Sequence, residues 1–147
     1  MTTYIAGENT KTKMINAAGE LAAKIGFDNV STRAIAERSG ENIGSIHYHF
    51  GGKKGLWVAV VREAMQGCVQ VTKELGEEGL DENASPVELS KTVRTVISKD
   101  SINLFRSGRP AWNAQVIYHL IQCDDDLYVG PLFQIIKEAE QEKRRDV

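Results

Sequence analysis

Glycine cuts the chain into short pieces between Gly26 and Gly55, and this spacing limits the fold more than any other feature of the sequence. Gly26, Gly40 and the pair Gly51-Gly52 bound two segments, each long enough for only two or three helical turns. The apolar residues within them recur at helical spacing. Ala34 and Ile35 serve the first segment, and Ile43, Ile46 and Phe50 the second, at i, i+3 and i+7. Ser31 stands where its hydroxyl can cap the free amides of a first turn, and Asn42 stands likewise before the second segment. A glycine directly after the last apolar turn is a helix stop. Two short helices joined by a glycine-bearing turn, the second with a polar cap, describe a helix-turn-helix.

The rest of the chain reads as helix too. Met14, Ala17, Ala18, Leu21 and Ile25 recur every three or four residues over 10–24, with Gly26 as the stop. A fourth helix is expected from Lys53 through Leu56, Val60, Ala64 and Val71 toward Leu75. Residues 76–85 are too polar and glycine-rich for a core and read as a linker. Ser85-Pro86-Val87-Glu88 then has the order of a helix start: serine cap, proline first, glutamate third. That helix should reach about Arg106, where Ser107-Gly108-Arg109-Pro110 ends it. A helix over 110–122 holds Trp112, Val116, Ile117, Leu120 and Ile121, and a last one runs from about Pro131 to Arg145. No useful strand-period alternation occurs, so the expected fold is all-α. Its expected domains are an N-terminal three-helix unit, 1–57, and a second helical unit, 58–147.

Charge divides along the same line. The net charge is −2, but residues 1–57 carry seven Lys and Arg against five Asp and Glu, while residues 58–147 carry eleven against fifteen. A positive unit tied to a negative one fits a polyanion-facing half and a second half with another task. Cys68 and Cys123 are too few for a disulfide framework, and no C-x-x-C occurs. No leader segment and no long apolar run is present, so a cytoplasmic protein with no membrane association is expected.

In a helix-turn-helix the far face of the second helix must be compact and polar enough to enter the major groove. Gly44, Ser45 and Tyr48 lie on that face, with His49 beside it. Serine can exchange hydrogen bonds with base edges, and tyrosine can reach a phosphate or a thymine methyl. His47 and His49 are two residues apart and so point apart on a helix, which disfavours a shared metal. Gly51-Gly52-Lys53-Lys54-Gly55 lacks the spacing and the preceding strand of a nucleotide loop. Neither G-x-S-x-G nor H-E-x-x-H occurs, so no enzyme, cofactor or metal site is expected.

Residues 10–57 resemble the DNA-binding domain of TetR-family transcriptional regulators. The resemblance rests on Ala17-Ala18 and Leu21, then Gly26-Phe27, then Ser31-Thr32-Arg33-Ala34-Ile35-Ala36 and Ser39-Gly40. It continues in Gly44-Ser45-Ile46-His47-Tyr48-His49-Phe50 with Lys53 and Leu56. It implies binding of a palindromic operator in double-stranded DNA by a homodimer. Carried over by position, Ser45 and Tyr48 face base edges, and Thr32, Arg33, His47, His49 and Lys53 touch phosphates. Ser31 adds a phosphate contact to its cap, and Asn42 and Gly44 complete the surface. Lys53 sits at a helix amino end, which adds partial positive charge. For Thr32 and Arg33 taken singly, ordinary helix-start chemistry is an equal account. The chain departs from the family at Glu41, where valine is common, at His47, where tyrosine is common, and at Ala22, where an aromatic is common.

The resemblance further implies that the second half binds a small-molecule inducer, here expected to be apolar or aromatic, whose binding releases the operator. The apolar wall is expected from Met65, Val69, Leu104, Phe105, Trp112, Val116 and Phe133, with His119 as a polar member of the site. Asn103, Arg106, Asn113, Gln115 and Tyr118 are further polar residues available to it. Taken singly, each aromatic is better explained by core packing, and the pocket rests on the set as a whole. The second half is short for the family, which usually adds two more long helices that build the dimer. Two other readings stand beside the repressor. One is a DNA-binding or protein-interaction helical module without ligand sensing. The other is a helical enzyme using His119 with Asp124 or Asp126.

Overall fold

The computed structural model describes residues 2–66 and 108–122 continuously, with individual positions between 83 and 95 and between 130 and 146. All regular structure among the described residues is helical. It comprises α1 (Thr2–Ile25), a 3-10 turn (Phe27–Asn29), α2 (Thr32–Ser39), α3 (Gly44–Phe50), α4 (Lys53–Met65) and α5 (Ala111–Gln122). The chain separates into two compact units, Met1–Glu63 and Ala64–Val147. The division falls within α4, past the end of the glycine-bounded segments.

In the N-terminal unit, α1 packs against α2, the 3-10 turn and α3. Met14, Ala17, Ala18 and Ala22 supply its buried face. The small alanines let neighbouring backbones approach closely. Ile25, expected on this face, is instead 50% exposed. Gly26 turns the chain at φ 78° directly after it, and Phe27 takes the core position, 1% exposed. Phe27 stacks on Trp57 of α4 with ring centroids 4.3 Å apart and planes 18° apart. Ile35 of α2, Ile46 of α3, and Leu56, Val60 and Val61 of α4 complete this buried set. Fully burying a side chain of this size contributes roughly 1.5–3 kcal/mol.

α1 begins at Thr2, well before the expected start at Thr10. The first turns carry no apolar stripe. They are supported locally, by Thr10 Oγ1 donating to the Ala6 carbonyl at 3.0 Å and by Lys11 meeting Glu8 at 3.4 Å.

The Ser85 helix start forms the two reciprocal bonds of a capping box. Glu88 N donates to Ser85 Oγ at 3.3 Å, and Ser85 N donates to Glu88 Oε2 at 2.9 Å. Gly108, at φ 70°, precedes α5, whose residues Trp112, Asn113, Ala114, Val116, Ile117 and Leu120 are buried. Among the described residues from 130 to 145 the backbone is helical, with Gln134 donating to Glu138 at 3.1 Å one turn on. No described helix is long and apolar enough to cross a membrane. The expected path of α4 beyond Gln66, the linker up to residue 82, and the stretch between Thr95 and Gly108 lie outside the described residues.

Candidate nucleic-acid interface

The interface is built by two capped helices held at a fixed turn. Ser31 is extended, and its Oγ accepts from Ala34 N at 3.0 Å, so the first turn of α2 is capped as its sequence demands. α2 ends at Gly40, in the left-handed region at φ 71°. The turn then runs Gly40-Glu41-Asn42-Ile43. Ser39 Oγ braces it, donating to the Ala36 carbonyl at 3.2 Å and accepting from Glu41 N at 3.3 Å. Asn42 Oδ1 accepts from Gly44 N at 2.8 Å and caps α3. Gly51 closes α3 at φ 74°, its amide donating to the His47 carbonyl.

Glu41 gains a purpose that the sequence did not disclose. It reaches Lys13 of α1 at 3.6 Å, with only 23% of its side chain exposed. Arg38 of α2 meets Glu20 of α1 at 2.6 Å. These two pairs tie the helix-turn-helix to α1, and they line or adjoin an open groove of about 790 Å³ between α1 and α2.

Helix α3 turns Ile46 inward, at 0% exposure, and turns Tyr48 outward, at 84%. Tyr48 thus stands on the side of α3 opposite its core residue, where a partner could reach it. Gly44 is exposed beside it, Ser45 is half-buried and Asn42 is exposed. Ile43, which shares the apolar spacing of Ile46 and Phe50, is 46% exposed. It precedes the first turn of α3, and its side chain stands toward solvent instead of entering the core.

The positions assigned to phosphates are not gathered in one place. Thr32 is half-buried, and Arg33 is fully in solvent, where it meets Glu37 one turn on at 3.3 Å. Such an exposed pair contributes about 0–1 kcal/mol and yields readily to a stronger anion. His47 is exposed in the corner between α3 and α4, close to Gly52. Lys53 opens α4 with its ammonium 5.1 Å from the centre of the Phe27 ring, a cation–π contact that fixes where the charge sits. His49 is set apart from these. It is half-buried, and a Cβ placed on Gly7 of α1 would stand 3.7 Å from its Cε1.

Gly55 is a positional requirement that the sequence reading missed. A Cβ there would fall on the Phe50 backbone carbonyl oxygen, so only glycine lets the first turn of α4 fit against the end of α3. The signal was present as the third glycine of Gly51-Gly52-Lys53-Lys54-Gly55.

In the C-terminal unit the expected ligand residues divide. Met65, Trp112 and Val116 are buried and His119 is half-buried. Val69, Leu104, Phe105 and Phe133 lie outside the described residues, as do Asn103 and Arg106. Of the other polar residues, Gln115 and Tyr118 face solvent, whereas Asn113 is 2% exposed. Among the described residues no three His, Cys, Asp or Glu side chains group to hold a metal.

An all-helical protein whose N-terminal unit presents one capped, glycine-bounded helix outward from a three-helix core is a helix-turn-helix protein. Comparison with known families makes this specific. Residues 14–60 match the family model of the bacterial regulatory proteins of the tetR family, so this stretch is similar to the N-terminal domain of those proteins. The chain is 28% identical over 98 residues to the HTH-type transcriptional repressor AcnR of Corynebacterium glutamicum, covering 59% of this chain and 52% of that protein. It is 27% identical over 130 residues to the HTH-type transcriptional dual regulator CecR of Shigella flexneri, covering 80% and 58%. It is 31% identical over 90 residues to the probable HTH-type transcriptional regulator YttP of Bacillus subtilis, covering 61% and 43%. The chain thus spans about half the length of the curated relatives it matches.

Proposed function

We propose that this protein is a transcriptional repressor that binds a palindromic operator as a homodimer and is released by a small-molecule inducer. The observation that carries the DNA half of this reading is the outward face of α3. There Tyr48 and Gly44 are exposed and Ser45 is half-buried, on the helix whose core side Ile46 anchors. Ser45 and Tyr48 read base edges, with Asn42 and Gly44 completing the surface against the groove. Thr32, Arg33, His47 and Lys53 grip the phosphates on either side, and Ser31 adds a phosphate contact beside its cap. His49, turned toward α1, reaches a phosphate only at the edge of the footprint. Operator binding places the protein with the chromosome, in the cytoplasm. Two copies would set their α3 helices about one turn of DNA apart, roughly 34–36 Å.

One relative is named a repressor and another a dual regulator. Repression is the simpler reading, because occupancy of an operator blocks a promoter without further contacts. The inducer is assigned to the C-terminal unit, where Met65, Trp112, Val116 and His119 offer apolar wall and polar edge. Val69, Leu104, Phe105 and Phe133 are the remaining wall positions proposed from the sequence. The test is a footprint over the DNA upstream of the protein's own and adjacent genes, together with light scattering of the purified chain with and without that DNA. A protected palindrome and a dimer's mass on DNA are expected. Absence of a palindromic footprint would refute the reading.

A further inference from the structure

Helix α5 carries a polar group where its sequence should carry only apolar ones. Asn113, Val116, Ile117 and Leu120 fall at i, i+3, i+4 and i+7, which makes them one stripe. All four are at most 2% exposed. Asn113 is the single polar member. Its backbone amide donates to the Pro110 carbonyl at 3.0 Å, so the backbone is satisfied. Neither end of its side-chain amide is. Both Oδ1 and Nδ2 are buried without a hydrogen-bond partner among the described residues, and so is Nε1 of the neighbouring Trp112.

A carboxamide sealed in an apolar stripe with nothing to bond is unfavourable at both ends. Such groups are uncommon in folded proteins and each demands a cause. Leucine at the same place would fill the stripe at no such cost. On the repressor reading above, on which this inference rests, the C-terminal unit holds an inducer, and the orphaned amide supplies what that inducer must match.

We infer that Asn113 is the recognition group of the inducer site, and that the inducer is a small apolar molecule carrying a neutral carboxamide or an equivalent adjacent donor and acceptor. The unpaired donor and acceptor of the amide set this class. Oδ1 only accepts and Nδ2 only donates. A ligand carbonyl satisfies Nδ2 while a ligand N–H satisfies Oδ1. A carboxylate would leave Oδ1 unpaired and bring an uncompensated charge into an apolar stripe. An ammonium would leave Nδ2 unpaired with the same cost. Trp112 Nε1 is a second buried donor without a hydrogen-bond partner on the same helix.

The test compares the full-length wild type with Asn113→Leu by thermal unfolding. The probes are primary carboxamides of increasing size (acetamide, benzamide, naphthamide) and their methyl ketone and hydrocarbon isosteres. At least one carboxamide should raise the wild-type Tm and bind the variant ten-fold or more weakly, while its hydrocarbon isostere binds both alike. Without any probe the variant should melt roughly 2–6 °C higher, because it sheds an unpaired buried amide. A lower Tm for the variant would mean that the amide is already satisfied, and the inference fails. It also fails if no carboxamide shifts the wild type, or if the ketone and hydrocarbon match the carboxamide. DNA binding by the same two proteins is read separately by gel shift on the upstream DNA. Loss of binding in the wild type would overturn the repressor reading, and the melting data would still decide the ligand site.

Discussion

Gly55→Ala is the sharpest test of how the recognition helix is held. The substitution has two opposed effects. Alanine inside a helix is favoured over glycine by about 1 kcal/mol. Against this, the added Cβ lands on the backbone carbonyl oxygen of Phe50, which has no rotamer to turn away. Overpacking commonly costs about 1–3 kcal/mol, and a clash with backbone lies at the upper end or beyond. The net expectation is a loss of roughly 2 kcal/mol, a Tm lower by several degrees, with the end of α3 displaced from the start of α4. Gly51→Ala is the control. It sits at φ 74° with open space around the new Cβ, so its cost is left-handed strain of about 1–2 kcal/mol without displacement. Both variants should therefore melt earlier by similar amounts. Only Gly55→Ala should also lose DNA affinity, by ten-fold or more, when gel shifts are run well below the melting point of either. Equal affinity for the two folded variants would refute the argument that Gly55 sets the position of α3.

Other substitutions separate folding from recognition. Ile46→Ala should cost about 2–5 kcal/mol in urea unfolding, since it empties a fully buried site beneath α3. Ser31→Ala removes the cap on Ala34 N and should cost about 0.5–2 kcal/mol in the same assay. Glu41→Val, which restores the residue common in the family, should change stability by no more than about 1 kcal/mol, because it trades a partly exposed pair with Lys13 for an apolar side chain. Tyr48→Ala and Ser45→Ala should relax sequence preference in a competition gel shift, whereas Lys53→Ala should weaken binding to all sequences alike.

The glycine-bounded unit was legible because its signals are local. Ser31, Gly40, Asn42 and Gly51 each satisfy or end a turn through bonds reaching no further than four residues, and the structure forms those bonds. Ser85 and Glu88 were legible for the same reason. What periodicity could not supply is the environment at helix ends. Ile25 and Ile43 have the right spacing for the core, but each stands where the chain is turning, so solvent claims them. The early turns of α1 had no apolar stripe to announce them. Gly55 and Glu41 depend on another segment's backbone or side chain, which no spacing rule sees. In the second unit the stripe on α5 was legible as core, and Asn113 was visible only as one polar candidate among several. Its burial and its lack of partners are tertiary facts.

The chain holds two tryptophans, and the fold distributes them one to each compact unit. Trp57 lies stacked on Phe27 within reach of the Lys53 end of α4, while Trp112 lies in the buried face of α5. The protein therefore carries its own pair of optical reporters. Replacing either by phenylalanine leaves a fluorophore that watches a single unit, so changes in the two units can be timed separately in one chain, with no dye attached.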